Sequence, residues 1–246
     1  MINLDGSEVV DRHAAQAVGE PDGRPAGDRA TCDSEGGCCE TGPVIGGRTG
    51  LPARLAFAAI RSGRRVGPAE IARHADLQPD LVAAELRQLA ESGEANLDEA
   101  GQVVAVAGLS LVPARHELVL AGQALHTWCA WDAIGIPAAL ELDARLRTHC
   151  HWCQSHIVVE LSKGRIVGEP SALLWFPTRP VDGNWRGNPQ VVWCPQANLF
   201  CDREQLKRWQ AAAGNPSGEA ITVGEAARRG ADHWAAFREP CGVAAR

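Results

Sequence analysis

The chain of 246 residues has no tyrosine, one methionine and four phenylalanines. It also lacks any apolar run approaching the roughly 18–20 residues of a membrane span. The missing tyrosine and the heavy use of Ala, Gly and Arg carry no functional signal. Two other absences do exclude function classes. No block is basic enough to hold a nucleic-acid backbone: 24 Lys and Arg stand against 30 Asp and Glu. The eight tryptophans are scattered without interleaved bases, which argues against a stacking platform for single strands. The first twenty residues contain Asp5, Glu8, Asp11 and Arg12 and no apolar h-region, so no secretory signal is expected and the expected compartment is the cytoplasm.

What the chain has in quantity is cysteine: nine, an odd number in a sequence that reads as cytosolic. A disulfide framework does not fit that setting, whereas thiol or metal chemistry does. Residues 1–47 are rich in Gly, Asp and Glu and read as a disordered acidic extension. The extension contains Cys32, Cys38 and Cys39 beside a Gly-Gly hinge, thiols that could buffer or pass on a soft metal ion.

From residue 48 the pattern becomes helical. Leu51–Ile60, Pro68–Ala75 and a segment opened by Pro79, with Leu81, Val82, Glu85, Leu86 and Leu89 at helical spacing, predict three helices. Strand signals around 94–97 and 102–106 follow, and together these elements predict a winged helix-turn-helix domain over 48–108. Its third helix carries Arg87 against Asp80, Glu85 and Glu91, which disfavours contact with phosphates and favours a structural use of the fold.

The remainder, 109–246, reads as α+β: a mixed or antiparallel sheet with flanking helices. Strands are expected at 109–113, 117–120, 123–128, 157–161, 165–168, 172–176, 191–193 and 219–223. Helices are expected at 132–146, at 202–213 behind an Asp202 N-cap, and at 224–239.

Five cysteines lie in this region: Cys129, Cys150, Cys153, Cys194 and Cys201. Cys129 ends a strand and begins a helix, where unpaired amides and the helix dipole favour a thiolate. Asp132, three residues on, falls on the same face of the first turn. A thiolate beside a carboxyl group is a soft ligand beside a proton carrier. The same two residues also suit an ordinary buried cysteine and first-turn aspartate.

The segment Trp128-Cys129-Ala130-Trp131-Asp132, the apolar run Ala133–Leu140 with its proline, and Cys150 twenty-one residues after Cys129 resemble the organomercurial (alkylmercury) lyase family. Val192-Trp193-Cys194, followed by Asn198-Leu199-Phe200 and Trp209, extends the resemblance, which covers roughly residues 50–240.

The resemblance implies that Cys129 and Cys194 are the two catalytic, mercury-holding thiols, that Asp132 handles the proton, and that Cys150 is buried and structural. It implies protonolysis of a carbon–mercury bond to a hydrocarbon and Hg(II), with organomercurial thiol adducts as substrates and Hg(II) as bound product. No organic cofactor is implied, and a mercuric reductase would accept the ion. Soft Hg(II) prefers thiolates, and a carboxyl group that collects a thiol proton can deliver it to the leaving carbon.

The sequence departs from the family at Trp131, where an aliphatic residue is usual, at Pro195, and in having Cys153 and Cys201. Those extra cysteines support a rival reading. Cys150-His-Trp-Cys153 is a Cys-x₂-Cys knuckle that, with Cys194 and Cys201, would make a four-cysteine structural zinc site, with His149, His151 and His156 as spare ligands. On that reading the chain is a zinc-stabilised, non-catalytic protein of the lyase fold. A second rival is a metal-responsive winged-helix transcriptional regulator.

Overall fold

The computed structural model describes residues 49–178 and 188–238. The cysteines at 32, 38 and 39, and the reading of 1–47 as an acidic extension, lie outside these residues. Among the described residues the order is α1 (Leu51–Arg61), α2 (Pro68–Ala75), α3 (Pro79–Glu91), β1 (Ala95–Leu97), β2 (Val103–Val106), β3 (Leu109–Ser110), β4 (His116–Leu120), β5 (Gln123–Thr127), α4 (Ala130–Leu140), β6 (Ala144–His149), β7 (His156–Ser162), β8 (Arg165–Ile166), β9 (Leu173–Pro177), α5 (Pro189–Val192), β10 (Leu199–Phe200), α6 (Arg203–Ala212), β11 (Gly218–Thr222) and α7 (Val223–His233), closed by a 3₁₀ turn at Ala235–Phe237.

Proline occupies the first or second position of α1, α2 and α3, where its missing N–H costs no helical bond. On α3, Val82, Leu86 and Leu89 face the core, while Leu81 is exposed. The strands form two sheets, an eight-stranded one in the order β1-β2-β3-β5-β4-β6-β7-β8 and a three-stranded one in the order β10-β9-β11. Every pairing is antiparallel. Strands β1 and β2 join the large sheet through β3, so it runs without a break across residues 106–109.

The centre of the molecule is α4. It is buried from Ala130 to Ala139 and apolar on every face except at Asp132, as suits a helix covered all round. It packs on α7 with backbones nearly touching: a Cβ on Gly230 would lie 2.2 Å from the Gly135 Cα.

Two sequence expectations give way here. The helix expected over 132–146 stops at Leu140, with Glu141 in the left-handed region at φ 55°, and Ala144–His149 is a strand. Ala144, Leu146 and Thr148 point inward while Arg145 and Arg147 point out, a two-residue period that β4 and β7 complete on either side. Val191–Trp193, expected as a strand, belongs instead to the short helix α5 and the residue that closes it. Asn188 caps α5, its Oδ1 accepting the Gln190 N–H at 2.9 Å, and Pro189 fills the first turn. Local capping outweighs the β-propensity of Val191 and Val192, which stand exposed.

Candidate active site

Strand β5 runs into α4 through Trp128 and Cys129, and Cys129 takes the N-cap position with extended backbone. The cap is reciprocal. The Cys129 sulfur faces the backbone N–H of Asp132, and the Asp132 carboxylate accepts the Cys129 N–H at 3.0 Å. This is the arrangement of a capping box with sulfur and aspartate in place of hydroxyl and glutamate. Thr127 Oγ1 donates to the Cys129 carbonyl at 2.9 Å, and the Ala130 N–H donates to the Ala197 carbonyl at 3.2 Å. That last bond ties the start of α4 to the loop carrying Cys194. Cys194 follows α5 in a turn and is held by its own N–H to the Pro189 carbonyl at 2.9 Å.

The structure therefore brings Cys129, Asp132 and Cys194 together: their ligand atoms all lie within 4.8 Å of one another. All three are buried, at 0%, 5% and 8% exposure. The position expected to favour a thiolate at Cys129 does not prevail. Burial pushes this thiol well above its ordinary range, and the neighbouring Cys194 thiol and Asp132 add to the rise, against which the Asp132 N–H works in the other direction. Burial thus favours the neutral thiol at Cys129 over the thiolate.

A cavity of about 670 Å³ opens onto Asp132 and Cys194. One part of its wall is aromatic, formed by Trp128, Trp131, Phe176, Trp193 and Trp234, and Glu94, Glu219 and His233 are among its polar groups. Trp131 is the hub, its ring 5.1 Å from Phe176 and from Trp193, 4.7 Å from His233 and 4.8 Å from Trp234. The Trp131 indole N–H donates to the Ala226 carbonyl at 3.2 Å, which fixes the ring on α7. An apolar chamber ending at a thiol and a carboxylate suits a small organic group carrying a soft metal.

Sequence reasoning missed Gly108. It stands at φ 95° in the turn between β2 and β3, and a Cβ there would lie 2.7 Å from Asp132 Cγ. Its carbonyl accepts the Trp128 N–H at 3.1 Å, so the turn is clamped against the strand that delivers Cys129. A glycine takes this left-handed backbone without strain, but nothing local in Ala107-Gly108-Leu109 says which side chain it faces.

The remaining cysteines form a second cluster. Cys150, Cys153 and Cys201 also have their sulfurs within 4.8 Å of one another. Cys194 is not among them, so the four-cysteine site expected from the knuckle is not assembled. The helix start at Cys129 claims Cys194, and the β6–β7 turn is left with Cys201. Cys153 is exposed, with its thiol lowered to about 7 by hydrogen bonding to Ser155, whereas burial pushes Cys201 up to about 12. The histidines are otherwise engaged: His151 Nδ1 meets Arg115 Nη1 at 3.0 Å, and the His149 and His156 rings pack at 4.4 Å.

The family model described as alkylmercury lyase matches residues 109–235. An alkylmercury lyase of Streptomyces lividans is 28% identical over 152 residues, covering 61% of this chain and 67% of that protein. One from Bacillus cereus is 27% identical over 131 residues, covering 53% of this chain and 57% of that protein. Among solved structures, the mercury-bound form of MerB2 superposes with a TM-score of 0.67 at 22% identity, over 75% of this chain and 88% of that one. That likeness establishes the α+β fold with its large antiparallel sheet. Among the described residues no helix is long and apolar enough to cross a membrane.

Proposed function

The chain belongs to the alkylmercury lyase family, and from that premise we propose that it cleaves the carbon–mercury bond of organomercurials, with Cys129 and Cys194 as the metal-holding thiols and Asp132 as the proton carrier. The observation that carries this reading is the meeting of two thiols and one carboxylate at the end of an aromatic cavity.

The chemistry follows from the groups in place. An organomercurial enters as its adduct with a small thiol, R–Hg–SR′. Mercury exchanges the outside thiolate for a protein thiolate, and the displaced R′S⁻ leaves as R′SH with one cysteine proton. The second cysteine then binds, and its proton passes by way of the Asp132 carboxylate to the carbon. As the C–H bond forms, the C–Hg pair stays on carbon and R–H departs, leaving Hg(II) on two sulfurs. Two thiol protons are consumed, one in R′SH and one in R–H, and no oxidant or reductant takes part. Burial favours the neutral Cys129 thiol, and binding of a soft metal to the sulfur would release its proton.

Asp132 is suited to the transfer because its Oδ2 is already held by the Cys129 N–H, 3.0 Å away, which fixes the carboxylate beside the sulfur. Trp131 and its ring partners would receive the organic group and keep bulk water from the carbon. Small alkyl and single-ring aryl groups fit a chamber of about 670 Å³.

The reading also assigns the first three helices and the β1–β2 hairpin to a winged helix-turn-helix over 48–108, used structurally, and 109–246 to the catalytic core. No organic cofactor takes part. The protein acts in the cytoplasm, and a mercuric reductase takes Hg(II) from it by thiol exchange.

The test is anaerobic hydrocarbon release from a methylmercury or phenylmercury thiol adduct. Wild type is expected to turn over. Cys129→Ser, which keeps a good helix cap, is expected not to. Release by Cys129→Ser at the wild-type rate would refute the assignment.

A further inference from the structure

The turn between β6 and β7 is built to present sulfur. The Cys150 N–H donates to the Ser155 carbonyl at 2.8 Å and the Gln154 N–H to the Cys150 carbonyl at 3.1 Å, closing residues 150–155 into a tight loop. Cys150 is fully buried at its base, while Cys153 stands exposed at its tip. Cys201 reaches this loop because the His151 N–H donates to the Leu199 carbonyl at 2.9 Å, and Ser171 Oγ donates to the Cys201 carbonyl at 3.0 Å.

The Cys153 and Cys201 sulfurs are 3.7 Å apart, and all three sulfurs lie within 4.8 Å of one another. A trigonal ion with metal–sulfur bonds of about 2.3 Å separates its sulfurs by about 4.0 Å, so the three thiols need little movement to surround one.

We propose that Cys150, Cys153 and Cys201 form a second mercury site that takes Hg(II) in three-thiolate coordination. Among the described residues no histidine nitrogen or carboxylate joins this group, and a structural zinc almost always has four ligands. Three sulfurs, with the Ser155 hydroxyl 3.3 Å from the Cys153 sulfur as the harder group beside them, suit a soft ion that accepts a low coordination number. The choice of mercury rests on the reaction proposed above; the three-sulfur geometry does not. The ion arrives as Hg(SR)₂. Three protein thiols replace the two carried thiolates, two protons leave in 2 RSH, and the third goes to solvent. The exposed Cys153 offers the first exchange, and the buried Cys150 completes the set.

The site is tested by binding rather than turnover. The full, reduced chain carrying Cys129→Ser and Cys194→Ser is titrated anaerobically with Hg(II) in excess glutathione. It is compared with the same chain also carrying Cys153→Ser and Cys201→Ser. The thiols at 32, 38, 39 and 241 are present in both. The first protein is expected to retain one more mercury per chain than the second and to show three sulfur neighbours by mercury X-ray absorption. Equal mercury contents, or two-sulfur coordination in both, would overturn the proposal. One zinc per chain as purified, lost with Cys153→Ser and Cys201→Ser, would assign the site to zinc and overturn it as well. Cys153→Ser with Cys201→Ser in the otherwise wild-type chain tests the two readings apart. Removing the second site in this way leaves hydrocarbon release intact, and failure of the lyase reading leaves intact the three-sulfur signature of the chain carrying only Cys129→Ser and Cys194→Ser.

Discussion

Two thiol clusters sit at the two ends of one short segment. Cys194 enters the first and Cys201 the second, and between them the Ala197 carbonyl is bonded to the start of α4 and the Leu199 carbonyl to the β6–β7 turn. The first cluster is buried throughout, mixes two sulfurs with a carboxylate, and lies at the end of an aromatic cavity. The second has three sulfurs of graded exposure and no carboxylate among the described residues. The contrast separates holding a soft metal from breaking its bond to carbon. On the roles proposed above, both clusters would do the first, whereas only the one with a carboxylate and a cavity beside it would do the second.

The largest expected effect comes from removing the feature that distinguishes the clusters. Asp132→Asn keeps an oxygen to accept the Cys129 N–H but cannot shuttle a proton. Hydrocarbon release should fall by about 10²–10⁴-fold, as for loss of a general acid, while mercury uptake at the second cluster is unchanged. Parallel assays of release and metal content check this.

Gly108→Ala comes next. Its Cβ would lie 2.7 Å from Asp132 Cγ, in a left-handed conformation that alanine resists. Displacing the carboxylate by a fraction of an ångström to an ångström should cost roughly 10–100-fold in release, readable as a fall in kcat at nearly constant KM.

A third experiment compares the thiols by pH. At pH 7 Cys153, with its pKa near 7, is about half thiolate, against a few per cent for an ordinary cysteine. Its alkylation by iodoacetamide should therefore run about tenfold faster than that of an ordinary thiol and rise with a midpoint near pH 7. Cys129, buried and shifted upward, should stay unmodified across that range. Peptide mass spectrometry after timed quenching reads both sites.

The smallest chemical effect is expected from Gly230→Ala, which drives a methyl group into the Gly135 backbone. It should destabilise the fold by about 1–3 kcal/mol in denaturant titration and loosen α4, with less effect on the β6–β7 turn.

Some of this was legible in the residues and some was not. The Cys129–Asp132 spacing with a helix start reads directly as two groups on one face, because a helical turn fixes where the third residue points. The approach of Cys194 to that pair came from resemblance, since no local rule links positions 65 residues apart. The β6 strand reads as a continuation of the helix because the apolar run masks the stop at Glu141 and the alternation beginning at Ala144 is short. The strand propensity of Val191 and Val192 hides α5, which the pair Asn188-Pro189 sets. The four-cysteine set failed for the same reason that Gly108 went unnoticed: both depend on which loops face each other, and tertiary contacts decide that. The direction of the Cys129 shift also turned on burial, which outweighs the helix dipole once α4 is enclosed.

The most direct test of the central claim is a single-turnover experiment with an isotopically labelled organomercurial thiol adduct on wild type, Asp132→Asn and Cys194→Ser. Hydrocarbon and protein-bound mercury are measured on the same samples, all three in a parent chain carrying Cys153→Ser and Cys201→Ser, so that wild type here means unchanged at the first cluster. The predicted result is one hydrocarbon per chain from wild type, with mercury held by two sulfurs, and from Asp132→Asn a bound organomercurial whose carbon–mercury bond is intact. Hydrocarbon release by Asp132→Asn or Cys194→Ser at the wild-type rate would contradict it.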